Sequence, residues 1–154
     1  MERRNAVPVL VIATVLLASS TAGGISVKAA GKQYLKDVAS ADAVLKTFNS
    51  EINTWTNSTA DAKGEHQAAL ALTALRTLRE NFLSQTWPQS VKGGVRFICE
   101  EDISSLEEDL HQIGSNSSLG NGAFQFTFRE DSKVTALHAS NVRRDLGLPS
   151  SSAL

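Results

Sequence analysis

The sequence has one cysteine, three prolines, one tyrosine and one methionine among its 154 residues, and its 15 basic and 16 acidic side chains nearly cancel. Each scarcity excludes something. A lone cysteine, Cys99, closes no disulfide within the chain, so stability has to come from packing. A net charge of −1 gives no electrostatic footprint for nucleic acid. So few prolines leave long stretches in which a helix can run unbroken. There is no glycine-rich phosphate loop and no nucleophile-elbow serine, and no Ser/His/Asp set declares itself. Neither an internal repeat nor a second domain is visible, and 154 residues suit one core.

What is present begins with an export pattern. "MERRNAVP" carries Arg3 and Arg4, "VLVIATVLLA" from Val9 to Ala18 is apolar, and "SSTA" brings Ser20 and Ala22 to the positions that a signal peptidase reads. That order predicts a signal peptide over residues 1–22, cut after Ala22 (or, as second choice, after Ala29), and a secreted or extracytoplasmic protein. The competing reading is an uncleaved single-pass membrane anchor, because no charge occurs from Asn5 to Val27. The second half of that run is Ser, Thr, Ala and Gly, which favours cleavage. No cysteine stands at the cut, so no lipid anchor is expected. Without residues 1–22 the chain carries 13 basic and 15 acidic residues.

Residues 23–33 read as a linker, 34–147 as an all-α, up-and-down four-helix bundle, and 148–154 as a tail. In the first helix Val38, Ala41, Leu45, Phe48, Ile52 and Trp55 follow at steps of three and four, continued upstream by Tyr34 and Leu35. "TNSTAD" interrupts, with Ser58 or Thr59 available as N-cap. The second stripe is Ala68, Ala71, Leu75, Leu78 and Phe82, widened by Leu72 and Leu83. The third helix starts near Pro88 and carries Val91, Val95, Ile98, Ile103, Leu106, Leu110 and Ile113, with a soft point at Gly93–Gly94. Cys99 falls within this stripe as a small buried hydrophobe. "GSNSSLGNG" is the longest linker. "AFQFTFRE" alternates like a strand, but Thr127 and Glu130 form a capping box, and a lone strand has no partner, so a helix starts there. Val134, Leu137, Val142 and Leu146 give its inward side.

The final stretch, "SNVRRDLGLPSSSAL", reads as architecture. Gly147 follows the last apolar residue and suits the left-handed conformation that ends a helix. Leu148 would fold back against Val142, Pro149 blocks continuation, and Arg143 and Arg144 face the negative end of the helix dipole. A phosphate site would need a helix N-terminus.

The order "YLKDVASADAVLKTFN", "LRTLRENFLSQTWP", "DISSLEEDL" and "ASNVRRDLGLP" resembles a group of uncharacterised, small, exported helical proteins from actinobacteria, many of them lipoprotein-like. The likeness spans Tyr34 to Pro149 and is most specific in Asn-Val-Arg-x-Asp-Leu-Gly-Leu-Pro at Asn141–Pro149. It implies an exported helical protein and supplies no catalytic or binding residue. The chain departs from the group in lacking the lipid-bearing cysteine and in its diglycine.

Chemistry-bearing residues are few. Glu100, Glu101, Asp102, Glu107, Glu108 and Asp109 read as a solvated acidic face of a helix, since calcium loops need a turn and a glycine. Glu108 and His111 make one Glu-x-x-His, where a di-iron bundle needs two and two more glutamates. His138 lies near the inward side of the fourth helix, as a boundary residue or, less simply, a haem ligand or a switch. No catalytic, cofactor-binding or metal-ligating residue is assigned, no cofactor is expected, and a monomer without enzymatic activity is the simplest expectation. The reading is an exported bundle that binds an envelope component or another protein. The alternative is a carrier of haem or lipid held between helices, lined by Tyr34, Trp55, Trp87 and the aromatics from Phe124 to Phe128. Export is tested by sequencing the N-terminus of protein recovered from culture fluid, which should begin at Gly23; a chain that begins at Met1 and fractionates with membranes would establish the anchor.

Overall fold

The computed structural model describes residues 25–53, 62–115 and 121–151, with the side chains of 62–63, 113–115 and 121–125 left outside that description. The fold is an all-α, up-and-down four-helix bundle, with no strand among the described residues. The first helix, α1 (Val27–Ile52), begins well before Tyr34, inside the segment that the sequence suggested as linker. The cause is local. Oγ of Ser26 accepts from the N–H of Ala29 at 3.2 Å and caps the helix, while Ala30 and Gly31 are buried. The second helix is α2 (Ala62–Ser84). The third is one continuous rod in three parts: α3 (Gln89–Phe97), a π turn over Ile98–Asp102, and α4 (Ile103–Ser115). The fourth is α5 (Asn121–Asp145), so the alternating "AFQFTFRE" lies inside a helix and Thr127 and Glu130 do not start it.

The core follows the stripes read for α1 to α4. Val38, Ala41, Leu45, Phe48 and Ile52 are buried with Ala68, Ala71, Leu75, Leu78 and Phe82, and with Val91, Val95, Ile98, Ile103, Leu106 and Leu110. Leu35 and Leu83, taken as extensions of those stripes, are exposed. Each end of the bundle is closed by aromatics. At one end Tyr34 stacks on Phe82 at 5.4 Å, and Trp87 meets Phe82 edge-on at 5.4 Å while its indole N–H donates to the Phe82 carbonyl at 2.7 Å. Burial pushes the Tyr34 phenol far above its ordinary range. Gln33 and Gln85 both donate to the buried carboxylate of Asp37, at 3.0 and 2.6 Å, and tie α1 to the end of α2. Towards the other end Phe48 meets Phe128 edge-on at 5.0 Å, and Arg129 donates to Oδ1 of Asn53.

One inward face differs from its sequence reading. In α5 the described buried residues are Phe128, Thr135, Ala139, Val142 and Leu146, with Arg143 beside the helix end, whereas Val134 and Leu137 are exposed. The helix is rotated so that Thr135, whose hydroxyl donates to the Asp131 carbonyl at 2.8 Å, enters the core in place of a larger apolar neighbour. Trp55, Ser58 and Thr59, the side chains of Ile113 and Phe124, and Ala22 with the rest of residues 1–24 lie outside the described residues.

α5 stops at a Schellman motif. Leu148 N–H donates to the Arg143 carbonyl at 2.9 Å, Gly147 N–H to that of Arg144 at 3.0 Å, and Gly147 has φ +68°. Leu148 packs over Gly31 of α1, where a Cβ would stand 3.3 Å from its Cδ2. The two arginines part company here. Arg144 is exposed, while Arg143 is 8% exposed and donates from Nε to the Pro149 carbonyl at 3.0 Å, tying down the tail. Urea unfolding should therefore separate three variants. Gly147→Ala forces a side chain into the left-handed region and should cost on the order of 1 kcal/mol. Arg143→Ala loses a charge-assisted bond and its packing, about 1–2 kcal/mol, and Arg144→Ala loses only a screened dipole contact and an exposed pair with Asp145, about 0.3–0.5 kcal/mol.

Candidate functional site

The third rod carries the polar side chains of greatest interest, and it does not present them as a solvated acidic face. Glu100, Glu101 and Glu108 are exposed, but Asp102 and Asp109 are buried and Glu107 is half-buried. The π turn contributes to this, because an extra residue per turn rotates Asp102 towards α5 while Ile98 and Ile103 stay in the core. Arg79 of α2 crosses to the other side of the same rod. It donates to the Cys99 carbonyl at 3.0 Å, to Oε2 of Glu107 at 3.1 Å and to Oγ of Ser104 at 3.0 Å. Cys99 itself is buried, and its thiol is pushed up to about 11 by loss of solvent. His111 is engaged on this side too, with its Nε2 3.1 Å from Nη2 of Arg76. No group of three His, Cys, Asp or Glu side chains placed to hold a metal ion occurs among the described residues.

The α4/α5 seam is antiparallel, and two-turn spacing on both helices stacks two polar layers on it. In the first, Nδ1 of His138 lies 2.9 Å from both carboxylate oxygens of Asp102. Two acceptors sharing one donor place the ring proton on Nδ1. Burial raises the Asp102 carboxyl, and the bond from His138 pulls against that rise. In the second layer Asp109 is 3% exposed, and its Oδ2 has no hydrogen-bond partner. Its carboxyl is pushed up to about 6, by burial first and then by the charges of Asp131 and Glu108.

His138 also borders a cavity of about 290 Å³ between α3 and α5. Val91, Gly94, Phe97 and Val142 give it apolar walls, and Ser90, His138, Asn141 and Asp145 give it polar ones. Phe97 stands edge-on to the His138 ring at 4.9 Å. The two helices approach closely at Gly94, where a Cβ would come within 2.8 Å of Val142 Cγ2, while beside it Gly93 faces open space. That contact gives Gly94 a packing reason that the sequence did not reveal. Ser90 stands at the other end of the cavity from His138: seven residues separate it from Phe97, about 10 Å along the helix.

Asn141, Gly147, Leu148 and Pro149, all within the C-terminal motif, fall in two places. Asn141 lines the cavity, and the other three form the helix stop and tail beside α1. Asp102 and Asp109 look solvated in the sequence because they fall in a run of carboxylates, whereas the fold buries both. Arg79 was missed because nothing local marks it. Comparison of the chain with protein families, with curated proteins and with solved structures finds no match.

Asp109 makes the stability depend on pH with a definite sign. A carboxyl raised from about 4 to about 6 favours the fold while protonated, so its contribution is present below pH 4 and is lost as pH rises through 6. Asp109→Asn stays neutral throughout. The stability of the variant relative to the wild type should rise between pH 4 and 7 by on the order of 2–3 kcal/mol. Thermal or urea unfolding across that range checks it.

Proposed function

We infer that the protein is an exported, non-catalytic binding bundle that recognises an envelope component or another protein through its α3/α5 face. The observation that carries this reading is a set of large apolar side chains left outside the core on these helices: Phe97, which lines the cavity, is 47% exposed, and Val134 and Leu137 on α5 are 48% and 62% exposed. Val134 and Leu137 sit on α5 within about a turn of His138, and water-exposed apolar surface of this kind is characteristic of recognition. The separation of Ser90 from His138 supports a role without nucleophilic chemistry. No helix among the described residues is long and apolar enough to cross a membrane. Export itself rests on the basic, apolar and small-residue order of residues 1–22 and on the resemblance to exported actinobacterial proteins.

A carrier of haem or lipid between the helices has less support, because Tyr34, Phe82, Trp87, Phe48 and Phe128 occupy the bundle interior. The binding reading is tested by capture from an envelope extract on the purified protein, followed by mass spectrometry. A partner bound by this face should be lost with Val134→Asp/Leu137→Asp and retained with Leu83→Asp, which alters an exposed leucine on α2. Equal loss in both, or haem or lipid co-purifying with the wild type, would overturn the reading.

A further inference from the structure

The α3/α5 cavity has features that partner recognition by exposed leucine and valine does not use. His138 spends Nδ1 on Asp102, and Nε2 has no protein partner among the described residues. Its side chain is 32% exposed, against 5% for Asp102. A buried carboxylate therefore fixes the ring of a histidine that lines a cavity. This is the arrangement by which proteins set a histidine's tautomer and aim its free lone pair. With Nδ1 protonated, the neutral ring offers Nε2 as an acceptor.

The remaining lining defines what that acceptor can meet. Among the described residues no lysine or arginine borders the cavity, whereas Asp145 does, so these walls disfavour an anion. Val91, Val142 and the Phe97 ring enclose the apolar part, and 290 Å³ lies at the small end of ligand sites. We propose that the α3/α5 cavity binds a small, largely apolar molecule bearing one N–H or O–H donor, which it gives to Nε2 of His138. This rests on the reading of the α3/α5 face as a binding surface and adds a ligand class to it.

Indole and 1-methylindole are suitable probes, since both are apolar bicyclic rings and only the first carries a donor. Titration of isotopically labelled protein by nuclear magnetic resonance should move the amides of Gly94 and Asn141 and the Nε2 resonance of His138 when indole is added. Binding of 1-methylindole should be about fivefold weaker, as loss of one hydrogen bond implies. His138→Phe, which keeps a ring and removes the acceptor, should bring indole down to the affinity of 1-methylindole. Equal affinities for the two probes in the wild type, shifts confined to another part of the bundle, or no shift at millimolar indole would each overturn the proposal. The wild-type comparison needs no variant to fold. The two readings fail separately: Val134→Asp/Leu137→Asp should abolish capture of a partner and leave indole binding in place.

Discussion

The bond between His138 and Asp102 sets the geometry on which much of this molecule depends. A carboxylate leaves water only when something compensates its lost hydration, and here the partner must come from α5. Meeting that demand fixes the rotation of α5 about its own axis. Asp131, Thr135 and His138 then turn towards the third rod, Ala139 and Val142 enter the core, and Val134 and Leu137 are carried outward. The apolar surface and the polar seam are two consequences of one helix phase.

The same argument explains how far the sequence could be read. Where apolar residues alone decide a helix's orientation, as in α1, α2 and most of the third rod, steps of three and four found the buried face, apart from Leu35 and Leu83 at its margins. In α5 the buried set includes Thr135 and lies beside His138, and a pattern of hydrophobic letters selected Val134 and Leu137 in their stead. The π turn had no sequence mark, and neither did the reach of Arg79 from α2 to the Cys99 carbonyl. Asp37 is held inside by Gln33 and by Gln85, and the second comes from just past the end of α2. Of the candidate site, His138 was legible as a boundary residue. The cavity was not, because it arises from the approach of Gly94 to Val142, which only the assembled fold creates.

Packing at the bundle ends and openness at its side divide the molecule into regions with different tasks. The aromatic clusters around Phe82 and Phe48 fill space and hold α1 against its neighbours. The α3/α5 pair is drawn together at one glycine and leaves a cavity alongside. Binding placed there would act on two helices whose mutual distance is fixed by a hard contact, so the site is preorganised.

The seat of Leu148 on Gly31 joins the beginning of α1 to the residues just past the end of α5. Contacts between segments so distant along the chain form late, because a long loop must close before they gain anything. During synthesis Gly31, in the opening turns of α1, lacks its Leu148 neighbour until the last helix has emerged, so an incomplete chain lacks the piece that seals this end of the bundle. For a protein exported as proposed, that ordering is useful. A thread that cannot finish folding while it is being made stays slack enough to be passed across a membrane and completes its bundle on the far side.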